Sequence, residues 1–411
     1  MSTATTPART DLGTREPLRR TRLAHPAAFV AVAATLVLFM AASSAPSPLY
    51  VVYQHDWGFS ATTLTVVFAV YVAGLLGSLL VVGALSDHVG RRPVLLAAVA
   101  LEAVALGLFL GAGNVTVLAV ARVAQGIATG AAMTTLGAAL ADLNPAHAPT
   151  RAGVVNGAAP LAGLALGSLG CGALVQYAPA PTHLVYAVLL AGVAAAAVAA
   201  WLLPETSTLR PGARASLRPR VAVPPRLRLE VLGLVPVLVA SWALGGLYLS
   251  LGPSVAVAEF GLSSHLVGGL VVTLLCGVGA VATVTLRGLS LGRILTIASG
   301  LLLVGMLVTL GGFEASSDVV AAVGTVVAGV GFGAAALGGF GTLARIAAPE
   351  ERGELFAAAF VISYVAFSVP AVAAGFATTS FGLHPTVVVY GAFVAVLALS
   401  ALVVQGVRAR R

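Results

Sequence analysis

The chain has 411 residues, 59% of them hydrophobic and only 9% charged, with a formal net charge of +8. Its mean hydropathy of +1.02 excludes a soluble core wrapped in a wettable surface. All 22 basic residues are arginines, and they are dispersed along the chain rather than clustered, which argues against nucleic acid as a partner.

A bilayer core of about 30 Å needs about 20 apolar residues per helix. Runs of that length predict twelve spans, six at 27–47, 61–84, 94–113, 115–141, 153–177 and 183–203. Six more follow at 231–252, 264–286, 293–312, 319–343, 354–379 and 385–407. The period of two expected of barrel strands is absent, so the expected class is an all-α membrane protein. The first run, with arginines before it and "AASSAP" at its end, has the look of a signal peptide. It is longer than a signal core, and retention as a span is expected.

Arginines outside the spans occur in the N-terminal tail (Arg9, Arg15, Arg19, Arg20, Arg22), at Arg91, Arg92 and Arg151, and six times between 210 and 228. They recur at Arg287, Arg293, Arg345 and Arg352, then at Arg408, Arg410 and Arg411. These positions are every second connection and both tails. The remaining connections, "YQHDWGFS", "GAGNVT" and "GGFEASSD" among them, carry none. By the positive-inside rule both termini are expected in the cytoplasm.

Between spans 2 and 3 lies "GALSDHVGRRPVLL", residues 83–96. Its glycines permit a tight turn, its arginines hold the loop inside, and Asp87 is free to meet a helix N-terminus or another arginine. Gly83, Leu85, Asp87, Gly90, Arg91 and Arg92 resemble the signature loop of the major facilitator superfamily. The resemblance implies a latch between two halves at the cytoplasmic face, with the acid near the start of helix 11. Glu354, close to that start, would weaken such a contact. Asp142, at the cytoplasmic end of span 4, is the expected partner of Arg91 or Arg92.

Glu102 and Arg122 are the ionisable residues expected deep inside spans. A charge there costs about 2.5–3.5 kcal/mol on insertion scales, so each needs a partner, a wet cavity or a function. They are expected to face one another across neighbouring helices, either as an ion pair or with a neutral Glu102 hydrogen-bonded to a neighbour. Arg122, Gln125, Thr129 and Met133 share a helix face, and Gly126, Gly130 and Gly137 another. "RVAQGIATG", residues 122–130, resembles the superfamily's helix-4 motif. That resemblance implies a cavity-lining helix with Arg122 associated with proton coupling. Because arginine is a poor proton carrier, it is expected to stabilise a carboxylate or attract an anion. In span 5, Asn156, Pro160, Gly163, Gly167 and Gly170 form a stripe that would let another helix approach. It partly resembles the exporters' helix-5 motif, departing from it at Ser168 and Cys171. Cys171 and Cys276 are isolated, and no disulfide or metal framework follows.

The stretch 204–230, rich in proline and arginine, is expected to be a cytoplasmic linker. It separates a tail (1–26) and a six-helix bundle (27–203) from a second bundle (231–407) and a short tail (408–411). "LADLNPAHAPTRAG", ending at Gly153, and "LARIAAPEERG", ending at Gly353, echo one another before spans 5 and 11. Twelve helices in two pseudo-symmetric bundles imply a secondary transporter with its site between the halves. The loop "RGLSLGR" in the second half keeps Gly288 and Gly292 but has no acid.

The second half offers Ser241, Gly245 and Tyr248 on one face of span 7, Trp242 beside them, and Tyr364 and Pro370 in span 11. Three asparagines and four glutamines in the chain are too few for a sugar site, which matches hydroxyls with amides and carboxylates. Gln125 and Asn156 are the amides expected within spans. The expected coupling or substrate cavity therefore comprises Glu102, Arg122, Gln125, Thr129, Asn156 and Tyr248. The resulting expectation is a monomeric, plasma-membrane antiporter that exports small amphiphilic or lipophilic compounds by alternating access. It is driven by a proton gradient, with no cofactor. Alternatives are an uptake symporter or facilitator for a small metabolite or sugar, and a non-transporting receptor or scaffold. No nucleotide-binding loop occurs in the sequence, and enzymatic activity is not expected.

Overall fold

The computed structural model describes residues 22–409 apart from 149, 263 and 349. The tail arginines 9, 15, 19 and 20, and Arg410 and Arg411, lie outside the described residues. Eleven helices are long and apolar enough to cross a bilayer, and a bent pair, Pro225–Leu232 and Val235–Ser250, meeting at 54°, makes the twelfth crossing. In the first half, spans 1 to 6 are His25–Trp57, Ala61–Val82, Arg91–Leu110, Val115–Asp142, Arg151–Tyr177 and Pro181–Leu202. Span 7 is the bent pair. Spans 8 to 12 are His265–Gly288, Leu291–Glu314, Asp318–Ile346, Arg352–Phe381 and Leu383–Arg408. The protein is all-α, and its spans antiparallel in succession, so the arginine-bearing connections gather at one face and the arginine-free ones at the other.

Most span ends fall within a few residues of expectation, and two differences matter. Span 1 does not stop at 47: its first helix ends at Ser44, and a second, Pro46–Trp57, continues it through "YQHDW". Pro46 and Pro48 fall in the first turn of that second helix, where a missing N–H costs nothing. Gly58, at φ +66°, ends it. Span 7 behaves likewise. Its helix resumes as Gly252–Phe260 and is stopped by Gly261 at φ +65°. Both halves thus open with a broken first helix extended beyond the break, a symmetry carried by proline in the first turn of the extension and glycine after it.

Close helix contact follows the small residues. A Cβ on Gly126 or Gly130 would strike the span 2 backbone at Tyr71 and Leu75. One on Gly163 would lie 2.5 Å from Val37 O of span 1, and Gly167 sits against Ala41. Gly170, grouped with these in the sequence, faces open space with nothing within 4 Å of its Cβ position. It advances onto the outward side of the helix and takes no part in the packing.

The halves meet along two pairs of spans. In one pair, span 8 lies on span 5: Thr273 donates to Ala165 O at 3.0 Å, and His265 N donates to Gln176 Oε1 at 3.0 Å. In the other, span 11 lies on span 2, where Thr62 donates to Gly375 O at 3.1 Å and shares a 2.9 Å hydrogen bond with Thr379. Ser47 adds a bond to Leu249 O at 2.8 Å. These ties lie at mid-depth or towards the arginine-free face. At the arginine-rich face, the hydrogen bonds and ion pairs among the described residues reach from one half to the other through the linker alone. Its start binds the first half, where Arg210 N donates to Asp87 O at 3.2 Å. Its end binds the second, where Arg226 pairs with Glu351.

Candidate functional site

Three constellations carry polar or aromatic chemistry at the seam and inside the first half. The first is the loop 83–96. Gly90 takes φ +106° and leads directly into span 3, whose first N–H groups have no cap from the residue before them. Glu205, the second residue of the linker, fills that gap. Its Oε1 accepts from Arg91 N at 2.8 Å and its Oε2 from Arg92 N at 3.1 Å. A carboxylate there satisfies orphan donors and opposes the positive end of the helix dipole. A Cβ on Gly90 would sit 2.6 Å from Glu205 Oε2, so the glycine serves both the turn and the cap.

Arg91 pairs with Asp87 one turn earlier and reaches Asp142 of span 4 at 3.2 Å, while its NH1 donates to Ser86 at 2.6 Å. Arg92 turns the other way, over the Trp201 ring at 5.9 Å. Gly83 packs at the end of span 2 near Thr134. Among the described residues, the loop acid makes no hydrogen bond or ion pair with the start of span 11. Instead the Asp87 carboxylate is taken up by Arg91, and its carbonyl accepts from Arg210 N and from Ser207 Oγ at 3.0 Å. In this conformation the expected inter-half latch is a clasp between the first half and the linker. Glu205 was missed because a cap supplied from 114 residues away leaves no local spacing signal.

The second constellation is a buried polar node where span 1 breaks. Pro46 has no N–H to give Ala42 O, and Gln125 of span 4 takes that carbonyl instead, Nε2 to O 3.0 Å. Arg122 NH1 donates to Ser43 O at 3.0 Å and to Gln125 Oε1 at 2.6 Å. Its guanidinium lies 4.2 Å from the Tyr71 ring centroid and 5.9 Å from that of Tyr50. Tyr71 donates to Ser43 Oγ at 2.8 Å.

Glu102 of span 3 does not pair with Arg122. Gln125 stands between them, donating to Glu102 Oε1 at 3.2 Å. Of the two expected arrangements the ion pair is not formed and the hydrogen bond from a neighbour is, giving a three-residue relay in which one amide binds both groups. Glu102 Oε2, Arg122 Nε, Tyr50 Oη and Thr129 Oγ1 are buried and without a hydrogen-bond partner. Among the described residues, Glu102 and Arg122 are the acidic and basic side chains that are buried. Ser43, Tyr50 and Tyr71 escaped sequence reading, although two prolines in the middle of an apolar run were the available signal.

Two residues assigned to this cavity lie elsewhere. Asn156 donates to Gly137 O at 3.2 Å, near the arginine-rich end of spans 4 and 5. Tyr248 is in the other half, hydrogen-bonded to Thr325 of span 10 at 2.7 Å. Helical spacing fixes a residue's face within its own span but not which bundle element lies opposite. Gln405 of span 12, not counted among the membrane amides, is buried and donates to Gly233 O at 3.4 Å. Pro160 is interior to span 5, on the side where Gly163 and Gly167 receive span 1.

The third constellation is a column of rings on the second half. Phe356, Phe360, Tyr364 and Phe367 recur at four-, four- and three-residue spacing along span 11. Phe340 of span 10 lies 5.2 Å from Phe360 between ring centroids, and Trp242 of span 7 lies 4.8 Å from Tyr364. Phe68 of span 2 meets Phe367 at 5.0 Å, where the column touches the first half. Tyr364 Oη approaches Met133 Sδ of span 4 at 3.7 Å. The column climbs about 16 Å from the arginine-rich end towards mid-membrane. Phe340, Phe356 and Phe360 are only partly buried at its lower end. Its periodicity was present in "LFAAAFVISYVAF", where Tyr364 alone was singled out.

Comparison with known proteins agrees with this architecture. The family model of the Major Facilitator Superfamily matches residues 32–308, more than half of the chain, and the protein belongs to that family. The human organic anion transporter MFSD10 (TETRAN) superposes with a TM-score of 0.67 at 17% identity, covering 92% of this chain and 100% of that one. A bacterial homolog to the human lysosomal transporter Spinster, in an inward-facing and unoccupied conformation, gives a TM-score of 0.72 at 13% identity, with 93% and 97% covered. Multidrug resistance protein MdtL of Shewanella oneidensis is 35% identical over 86 residues, 21% of this chain and 22% of that protein. The match spans about a fifth of that relative's length.

Proposed function

We propose that this transporter exports small amphiphilic or lipophilic compounds in exchange for protons, by rocking of its two halves. The arginine-rich face is cytoplasmic in this reading, the membrane is the plasma membrane, and the working unit is a monomer. The observation that carries the proposal is the aromatic column of span 11, which meets the first half at Phe68 and is only partly buried at its arginine-rich end. Rings offer a large apolar contact with little directional demand, which suits varied amphiphiles better than hydroxylated metabolites. The sequence similarity to a stretch of a protein named for multidrug resistance points the same way. Glu102, the buried acid, is the group proposed to carry the proton, with Gln125 coupling its state to Arg122 and to the break in span 1.

The test is transport in proteoliposomes under an imposed pH gradient, with a panel of lipophilic cations, neutral amphiphiles, sugars and amino acids. Gradient-dependent movement of amphiphiles is expected. Phe360→Ala should weaken their apparent affinity several-fold, corresponding to about 1 kcal/mol for one aromatic contact. Transport of sugars or amino acids with no response to amphiphiles would overturn the reading.

A further inference from the structure

A cavity of about 350 Å³ lies wholly within the second half, away from the seam. Spans 8, 9 and 10 and the extension of span 7 surround it. Its origin is a glycine crossing. A Cβ on Gly279 of span 8 would lie 3.2 Å from Gly329 O and 3.3 Å from Gly333 N of span 10, so the two backbones touch there. Beyond that crossing, towards the arginine-free face, bulkier residues replace the glycines. Leu270 and Val271 on span 8 and Val319 and Ala322 on span 10 line the opening space.

Each wall of the cavity has a distinct character. At its deep end the Tyr248 and Thr325 hydroxyls satisfy each other at 2.7 Å, and Thr309 donates to Gly305 O at 2.9 Å. No polar group there asks for a water or a hydrogen-bonding ligand. The roof towards solvent is closed by Phe260 against Phe313, with ring centroids 5.1 Å apart. Above them His384 binds Glu259 at 2.7 Å and lies 3.8 Å from Glu314, pinning the ends of three elements together. The side between spans 8 and 10 is the open one: Leu270 is 36% and Val319 67% exposed, both on membrane-spanning helices. Asp318, in the first turn of span 10, is the charged residue among those lining the cavity. It stands about 10 Å from Thr325 along the helix.

We propose that this cavity is a second ligand site, open sideways to the bilayer between spans 8 and 10, for a monocationic single-chain amphiphile. The chain lies in the apolar cavity and the cationic head meets Asp318 at the arginine-free surface. A preformed apolar pocket with one polar group at its rim is the usual form of a small-molecule site. The described connections at this face carry no arginine or lysine, and His384 is taken up by Glu259 and Glu314. The inference is independent of the direction and coupling of transport.

Binding of dodecyltrimethylammonium to the protein in zwitterionic nanodiscs tests it, with empty nanodiscs as the blank and dodecanol as the uncharged counterpart. A saturable component of cation binding additional to that of the central column is expected. Val271→Trp should abolish it by filling the cavity, and Ala322→Phe should do so from the opposite wall, so that a folding defect in either variant leaves the other to decide. Asp318→Asn should weaken the cation roughly threefold, the size of one partly exposed ion pair, and leave dodecanol unchanged. Phe360→Ala should weaken only the binding assigned to the central column and leave intact the component lost in the two cavity-filling variants. Undiminished binding in both cavity-filling variants, or loss of all saturable binding in Phe360→Ala, would overturn the proposal. An equal effect of Asp318→Asn on both probes would overturn the placement of the head.

Discussion

At the scale of single residues, the most instructive side chain is Glu205. It caps a helix from a distant loop and, through Asp87 and Asp142, belongs to the clasp around Arg91. Glu205→Ala should lower stability by about 1 kcal/mol, the usual worth of a capping side chain, whereas Glu205→Gln keeps one acceptor and should lose less. Thermal unfolding in detergent measures both, and equal melting temperatures for wild type and Glu205→Ala would refute the cap. Much of the site was legible at this scale. Arg122, Gln125 and Glu102 stood out because charge and amides are scarce in the spans, and Arg122 and Gln125 meet at the two carbonyls exposed by the break in span 1, Ala42 O and Ser43 O. What was not legible was the partner on the other helix. Gln125 rather than Arg122 reaches Glu102, and no spacing within one span encodes that choice.

At the scale of helices, glycine position rather than glycine content decides packing. Gly167 is pressed against Ala41 of span 1, while Gly170, three residues on, meets nothing. Gly167→Val should destabilise the first half by about 1–3 kcal/mol through overpacking, and Gly170→Val should be neutral within about 0.5 kcal/mol. The pair is read by thermal unfolding of matched preparations. A comparable loss from both substitutions would mean that the stripe packs as a whole. The twelve crossings themselves were readable from hydropathy, since a bilayer demands length and apolarity of every span. The extensions Pro46–Trp57 and Gly252–Phe260 were not, because proline at the first turn of a helix and proline ending one look alike in sequence. The cue that separates them is the following glycine, Gly58 or Gly261, in the left-handed region.

At the scale of the molecule, the seam is tied near the arginine-free face and bridged by the linker at the other, an arrangement suited to rocking about the outer ties. Linking Thr62→Cys to Thr379→Cys should stop turnover on oxidation and restore it on reduction, because those hydroxyls are 2.9 Å apart across the seam. The native Cys171 and Cys276 are buried and should not interfere. Full turnover of the oxidised, cross-linked protein would show that these ends never separate. Coupling is the central claim, and Glu102→Gln tests it most directly because the amide keeps an acceptor for Gln125 while removing the titrating group. The decisive measurement is accumulation of an amphiphilic cargo against its own gradient in proteoliposomes with an imposed pH gradient, wild type beside Glu102→Gln. The account predicts that the variant still binds cargo and melts near the wild-type temperature, yet no longer concentrates it. Undiminished pH-driven accumulation by Glu102→Gln would contradict it.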